Sequence, residues 1–302
     1  APKYYIMKWL SDYIRKYGID GYRVDTVKHT EEDVWKKFEE ICQDAFAQYK
    51  AANPRKVLDQ NKFFLLGEVY NYSINDAQQF NFPDKKVNYF ENGFDALINF
   101  DLRSSQKESS QKLFNRYNDI LQNEMNGKTV MSYITSHDDG SPFDKNRQNP
   151  WDAGTRLLLT PGISQIYYGD ETARSLEIEG ADGDANLRSN MNWEDIKPNS
   201  ETESLLNHYQ RLGQFRRNHP AVGAGKQTDL QNDPYVFFRK HENDEVIISV
   251  GYFREQKLIN VASLWKDGTK VRDFYTGVTG IVKNGTIVMN TNSDTVLLER
   301  ID

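Results

Sequence analysis

The sequence predicts an α/β protein: a parallel sheet with helices to about residue 220, then a small all-β region. Two observations predict this fold class. In the first part, amphipathic helical segments alternate with short apolar strands, a pattern typical of a parallel sheet covered by helices. Beyond Gly225 the apolar residues recur at the two-residue period of strands, and Asn, Asp and Gly turns separate these strands. We therefore expect a helix-and-strand domain over 1–224 and an antiparallel β-sandwich over 225–302.

The first predicted element is a helix over 4–17, where apolar residues recur at helical spacing and Gly18 offers a C-terminal cap. A strand over 18–24 follows, and Thr30 can cap the next helix, which ends at 53–54. Further strands are expected at 63–67, 94–102, 129–135 and 166–168, and further helices at 109–125, 151–160 and 200–219. In the all-β region, strands are expected at 235–238, 246–250, 258–261, 270–275, 286–289 and 295–298.

Charge and composition exclude several classes of partner. The 38 basic and 44 acidic residues give a formal net charge of −6, and no basic block is longer than a pair, so nucleic acid is not an expected partner. No apolar run approaches the ~20 residues that a membrane-spanning helix needs. Cys42 is the single cysteine, so no disulfide can form within the chain.

Three short segments, 18–29, 65–70 and 133–139, each place a carboxylate at the end of an apolar strand. The two-residue period of a strand sends Arg23 and Asp25 to the same face, where the guanidinium favours the charged carboxylate. Glu68 instead follows an apolar stretch, which favours its protonated form. One charged carboxylate and one protonated acid are what glycoside hydrolysis needs.

At these residues the chain resembles the α-amylase family of glycoside hydrolases. The strand-four motif of that family, Gly-x-Arg-x-Asp-x-x-Lys-His, is matched without a gap by Gly21, Arg23, Asp25, Lys28 and His29. The strand-five acid of the family is matched by Gly67-Glu68, and the strand-seven pair by His137-Asp138. The stretch 162–171 resembles strand eight, with Ser164 where proline is usual, and the run 184–193 looks most like the bacterial periplasmic α-amylases.

The resemblance implies a (β/α)8 TIM barrel followed by the β-sandwich. The chain would hold barrel strands four to eight, so that 1–224 is the carboxyl-terminal part of the catalytic barrel. An open sheet of five strands would leave unpaired edges. We therefore expect the amino-terminal portion of the same enzyme to complete the barrel as a separate chain. The resemblance also implies a secreted or periplasmic protein.

The same resemblance assigns roles to the matched residues. Asp25 would be the nucleophile that forms a glycosyl ester, Glu68 the acid and base, and Asp138 the carboxylate that supports the distorted sugar ring. The expected reaction is retaining cleavage of α-1,4-glucosidic bonds in starch or maltooligosaccharides. Five further residues are candidates for substrate binding: Arg23, Lys28, His29, His137 and Tyr70.

Calcium is implied by the resemblance alone. In the family a structural calcium is often held partly by the backbone carbonyl after the strand-four lysine, which here is that of His29. The residues themselves give little support for a metal. The stretch 182–193 imitates the opening of a calcium loop, but Leu187 replaces the required glycine and Trp193 the final glutamate.

Other interpretations stay open at this point. The same motifs serve α-glucosidases and glucan transglycosylases. A non-catalytic carbohydrate-binding or subunit protein could keep the barrel half as a scaffold, and a metal-dependent barrel enzyme could use the carboxylates as ligands. Residue by residue, Arg23 and Asp25 could form a structural ion pair, His137-Asp138 a solvated turn, and Tyr70 an ordinary packing contact.

Overall fold

The computed structural model describes residues 2–301. The chain folds as two compact units. The first runs to Asp101 and takes in residues 123–132, and the second holds residues 102–122 and those that follow Ser132. Along the part of the chain that the structure describes, no helix is long and apolar enough to cross a membrane.

Helices α1 (Pro2–Tyr17) and α2 (Glu32–Ala52) contact each other in the first unit. The first predicted helix is confirmed, and it ends where expected. Gly18 has φ +67°, and its N–H donates to the carbonyl of Ile14 over 2.9 Å. A left-handed residue that closes the last turn in this way is a common helix cap, which explains why glycine stands there.

The outward face of α1 carries a ridge of aromatic side chains. The buried face of the helix is narrow and consists of Met7, Ser11 and Ile14. Four aromatic residues, spaced four positions apart, are between 53% and 69% exposed: Tyr5, Trp9, Tyr13 and Tyr17. We call these four side chains the aromatic row. Residues spaced in this way lie along one side of a helix, so the row is a continuous apolar surface.

The strands of the first unit are, in chain order, β1 (Gly21–Val24), β2 (Phe64–Gly67), β3 (Phe80–Asn81), β4 (Lys86–Val87), β5 (Ala96–Asn99) and β6 (Thr129–Tyr133). Strands β1, β2, β5 and β6 pair side by side in that order, and every pairing is parallel, as the alternation of helix and strand predicted. Strands β3 and β4 form a short antiparallel hairpin. The sequence did not predict this hairpin, because strands of two residues show no alternation.

The helices and first strand of the second unit are α3 (Ser110–Asn123), α4 (Pro150–Leu159), β7 (Ile163–Gln165), α5 (Glu201–Asn218) and α6 (Ala221–Ala224). The strand predicted at 166–168 is wrong by three residues. A turn replaces it: the N–H of Asp170 donates to the carbonyl of Tyr167 over 3.0 Å, and Gly169 has φ +87°. Apolar side chains alone did not show where this turn begins.

Up to residue 301, the last that the structure describes, the all-β region of the second unit has eight strands: β8 (Lys226–Asn232), β9 (Tyr235–His241), β10 (Asp244–Ser249), β11 (Gln256–Asn260), β12 (Lys270–Asp273), β13 (Thr279–Ile281), β14 (Thr286–Asn290) and β15 (Val296–Arg300). Six of them form one antiparallel sheet, and β11 pairs with β14 in a second. Both sheets contribute to one hydrophobic core, for example Ile247 and Leu298 from the first and Ile287 from the second. The expected antiparallel strands are confirmed, whereas the domain boundary at 224 stays a prediction.

Candidate active site

Asp25 and Glu68 occupy equivalent positions at the carboxyl ends of neighbouring parallel strands. The register pairs Val24 of β1 with Gly67 of β2, so each acid is the next residue along its strand. The backbone ladder continues past the strands: the N–H of Glu68 donates to the carbonyl of Val24 over 2.8 Å, and the N–H of Val27 donates to that of Glu68 over 2.9 Å. Adjacent strands lie about 4.8 Å apart, so this pairing places two carboxylates side by side.

Arg23 bridges the two carboxylates. Its Nη1 pairs with Oδ1 of Asp25, as the shared strand face predicted, and its Nη2 lies 3.4 Å from Oε2 of Glu68. The side chain of Glu68 is 12% exposed and that of Asp25 is 62% exposed. The fold therefore brings the guanidinium of the neighbouring strand to Glu68, which the apolar stretch before this residue did not indicate.

The turn after Asp25 aims a backbone donor at Glu68. Thr26 adopts the left-handed conformation, with φ 49° and ψ 39°. Its N–H donates to Oε2 of Glu68 over 3.0 Å. A β-branched residue rarely adopts this conformation, which is typical of strain held at a functional site. The turn thus fixes the orientation of the Glu68 carboxyl.

Gly67 lets the Glu68 strand approach its neighbours. A Cβ at this position would lie 2.8 Å from the ring of Phe94 and 3.0 Å from a methyl of Leu97. Real Cβ atoms do not approach other atoms so closely without a shift of one of them. The glycine in front of the acid is therefore a packing requirement of this strand.

Lys28 and Tyr70, two of the predicted substrate-binding residues, contact each other. The Nζ of Lys28 donates to the backbone carbonyl of Tyr70 over 3.1 Å and lies 5.2 Å from the centroid of its ring. The Tyr70 ring is 47% exposed and packs edge-on against Phe100. His29 is exposed at the end of the short turn Val27–His29. Lys28 and Tyr70 thus form one polar and aromatic surface in the first unit.

In the second unit, Asp138 is held by two partners. His137 Nε2 lies 2.7 Å from one carboxylate oxygen, and Arg188 Nη2 lies 2.5 Å from the other. Arg188 also donates from Nε to the carbonyl of His137 over 3.2 Å. Sequence reasoning did not assign Arg188 to the site, although it lies within the run 184–193 that carried part of the resemblance.

Asp139, the residue that follows Asp138 in the sequence, belongs to a buried network of polar side chains. Asp139 is 9% exposed, forms an ion pair with Arg103 and accepts a hydrogen bond from the Tyr133 hydroxyl over 2.9 Å. Burial raises the pKa of Tyr133, so this hydroxyl stays a donor at neutral pH. Of the two consecutive acids, one is therefore anchored in the interior while the other stays 43% exposed. The family resemblance had assigned a role to Asp138 and none to Asp139.

The described residues offer no evident metal site. Within residues 2–301, no group of three or more His, Cys, Asp or Glu side chains is placed to hold a metal ion. The acidic stretch after Ala181 folds as a short 3-10 helix, Gly183–Arg188, in which the side chain of Asn186 accepts from the N–H of Ile178 and donates to the carbonyl of Ala181. The carboxylate ligands that calcium prefers are thus not assembled, and calcium, with the carbonyl of His29 as its ligand, stays a prediction.

Comparison with known proteins finds one family model and several relatives that match this chain. Residues 2–195 match the model of the α-amylase catalytic domain. The chain is 37% identical to the periplasmic α-amylase of Escherichia coli (strain K12) over 251 residues, which are 82% of this chain and 35% of that protein. It is 24% identical over 271 residues to the cyclomaltodextrinase of Thermoanaerobacter pseudethanolicus, covering 84% of this chain and 41% of that enzyme. The chain thus spans well under half of these relatives.

A solved structure shows the same fold. The crystal structure of the α-amylase from Geobacillus thermoleovorans, in complex with acarbose, matches with a TM-score of 0.69 at 20% identity, covering 99% of this chain and 64% of that chain. The TIM-barrel fold of such enzymes fits the parallel sheet of the first unit. Because the family model matches more than half of this chain, the chain belongs to the α-amylase family of glycoside hydrolases.

Proposed function

We propose that this chain carries the catalytic residues of a retaining glycoside hydrolase that cleaves α-1,4-glucosidic bonds in starch or maltooligosaccharides. One observation carries the proposal: Asp25 and Glu68 end adjacent parallel strands and share the guanidinium of Arg23. Two carboxyl groups held side by side suit a double displacement, for which the separation of the carboxyl groups is about 5 to 5.5 Å.

In the first step, an oxygen of Asp25 bonds to the anomeric carbon while the glycosidic carbon–oxygen bond breaks. Glu68 gives its proton to the departing oxygen. In the second step, Glu68 takes a proton from water, the water oxygen bonds to the anomeric carbon, and the carboxylate of Asp25 is released. Two inversions restore the original anomeric configuration.

The remaining candidate residues act on the substrate. Asp138, oriented by His137 and Arg188, would accept hydrogen bonds from sugar hydroxyls. The exposed ring of Tyr70, with Lys28 beside it, would bind the departing part of the glucan, and His29 would contact it from its exposed turn. Arg23 would hold the carboxylates of Asp25 and Glu68 in their relative positions during both steps.

The stereochemistry of the first product tests the mechanism. Proton NMR of maltooligosaccharide cleavage should show the α-anomer before mutarotation, and Asp25→Asn should abolish turnover while leaving the fold intact by circular dichroism. A first-formed β-anomer, or a carboxyl separation near 8 Å in a crystal structure, would contradict the double displacement.

A labelled maltooligosaccharide tests the specificity. A ladder of shorter malto-products is expected for an α-amylase. Glucose alone would identify an α-glucosidase, and products longer than the input would identify a transglycosylase. No cleavage by folded protein would favour the non-catalytic carbohydrate-binding alternative.

We also propose that this chain supplies barrel strands four to eight and contacts the rest of the barrel through α1. The aromatic row of α1 supports this proposal, because a continuous exposed apolar surface is typical of an interface. A crystal structure of the complete enzyme should show the aromatic row buried against the rest of the barrel. An aromatic row that stays exposed there would contradict the proposal. We also propose a secreted or periplasmic location, because the relative from Escherichia coli is named a periplasmic α-amylase.

A further inference from the structure

The second unit contains a cavity of about 670 Å³ lined by side chains of α3, α4, α5 and the all-β region. This volume lies within the range of about 300–1,000 Å³ that small-molecule sites occupy. The lining includes none of the candidate catalytic residues. We propose that this cavity is a second, non-catalytic binding site for a neutral oligosaccharide, with an α-glucan as its ligand.

Aromatic side chains offer stacking surfaces in the cavity. Phe253, in the turn after β10, is 84% exposed although its ring is fully apolar. Trp151, in the first turn of α4, and Tyr275, after β12, are partly exposed in the same lining. Sugar rings present apolar C–H faces that pack on such aromatic surfaces, while their hydroxyls stay in contact with water. An exposed phenylalanine beside a tryptophan and a tyrosine suits this mode of binding.

Polar side chains of the lining are available for sugar hydroxyls. Asn149 stands at the N-cap position of α4, where an asparagine normally binds the helix backbone, yet its side chain makes no such bond. Gln148 next to it is exposed, and both backbone N–H groups are satisfied by the carboxylate of Asp144. Amides carry both donors and acceptors, which matches the chemistry of hydroxyl groups.

The charge of the lining disfavours an anionic ligand. Among the lining residues there is no Lys or Arg, whereas Asp152, Asp233 and Asp294 are present. The one histidine of the lining is His208, and burial lowers its pKa, so it adds no positive charge at neutral pH. Phosphorylated and carboxylated ligands would therefore be repelled.

The wall of the cavity is rigid. His208 Nδ1 lies 2.6 Å from the hydroxyl of Tyr275, and its Nε2 lies 3.0 Å from Oγ1 of Thr155 and 3.1 Å from the carbonyl of Trp151. One imidazole thereby links three of the lining residues. A wall that is ordered before the ligand arrives loses less entropy on binding.

The choice of α-glucan rests on the proposed function. A polymeric substrate that binds at two places on one protein is held at a higher effective concentration at each. The predicted consequence is specific: loss of the cavity should weaken attachment to starch without altering turnover of a short substrate.

Affinity electrophoresis through gels with and without soluble starch tests the site in the complete natural protein. Phe253→Ala and Asn149→Ala should each weaken the starch-dependent retardation, Phe253→Ala by about tenfold in dissociation constant. Both should keep the kcat/KM for a chromogenic maltotrioside. Leu258→Ala is the matched control, because Leu258 is also 52% exposed on the all-β region but lies outside the cavity lining.

Each outcome has a definite meaning. Retardation that is unchanged in both variants, or an equal loss in Leu258→Ala, overturns the proposal, as does wild-type protein that starch does not retard. Failure of the proposed function looks different: starch would retard the wild type and not Phe253→Ala, but no variant or wild type would hydrolyse it. That result would support the binding site in the cavity and contradict the proposed hydrolytic reaction.

Discussion

Arg23 decides how the two strand-end acids behave, because its guanidinium contacts both. Without it, two carboxylates on neighbouring strands would repel each other when both are charged. The left-handed turn at Thr26 adds a backbone donor to Glu68. The site thus holds Glu68 at the backbone, while the side chain of Asp25 is 62% exposed.

Arg23→Ala should therefore lower kcat/KM on maltooligosaccharides by about 100-fold or more, the size expected for loss of one preorganised charged group. Arg23→Lys should recover little of this loss, since an ammonium group cannot reproduce the planar fork that contacts two carboxylates. Circular dichroism serves as the folding control. Activity within twofold of the wild type in Arg23→Ala would remove Arg23 from the site.

Gly67→Ala should destabilise the protein by about 1–3 kcal/mol, because the new methyl group overlaps the ring of Phe94. Gly213→Ala is the matched control: it lies within α5, where a Cβ would meet nothing within 4 Å, and alanine favours a helix over glycine. Urea denaturation should show a lower midpoint for Gly67→Ala and an equal or higher midpoint for Gly213→Ala. The reverse order would contradict the packing argument.

At the scale of elements, helix α5 and the residue after it are joined to the all-β region by partly buried polar contacts. His208 binds the Tyr275 hydroxyl, and His219 lies 2.8 Å from carboxylate oxygens of both Asp244 and Glu299. These contacts tie the last long helix to β10, to β15 and to the segment after β12. They explain why the all-β region belongs to the same compact unit as α5.

The state of His208 predicts a pH dependence of stability. Burial lowers its pKa from the ordinary value of 6.5, so the unfolded chain binds this proton more readily than the folded one. The free energy of unfolding should therefore fall as the pH drops below about 6.5, by up to about 1.4 kcal/mol per pH unit from this group. Urea denaturation between pH 7.5 and 5 measures the slope. His208→Gln should flatten it, and an unchanged slope would exclude His208 as its source.

At the scale of the whole molecule, the aromatic row of α1 is a continuous exposed apolar surface of the first unit. Large exposed apolar surfaces in a folded protein usually contact a partner. If the row contacts the rest of the barrel, the 302-residue chain alone should bind the dye ANS strongly, and Trp9→Ser with Tyr13→Ser should reduce this binding. Exposed Phe253→Ala in the second unit is the control. If the double variant and Phe253→Ala bind the same amount of ANS, the aromatic row is not the surface that binds the dye.

Local signals were enough to predict several parts of this protein. Helix α1 ends at Gly18, β1 and β2 end before an acid, and Arg23 shares a face with Asp25, because periodicity, caps and glycines act over a few residues. The family motifs are contiguous in the same way, so the sequence alone identified the family that the comparison confirmed.

Other features depended on the tertiary structure. The strand predicted at 166–168 lies at 163–165, the link from Arg23 to Glu68 crosses between strands, and Arg188 reaches Asp138 across 50 residues of chain. The cavity beside Trp151 likewise combines residues that are far apart in the sequence. Such contacts depend on how strands pair and loops close, and a pattern that repeats every two or four residues carries no information about which distant residue it will meet.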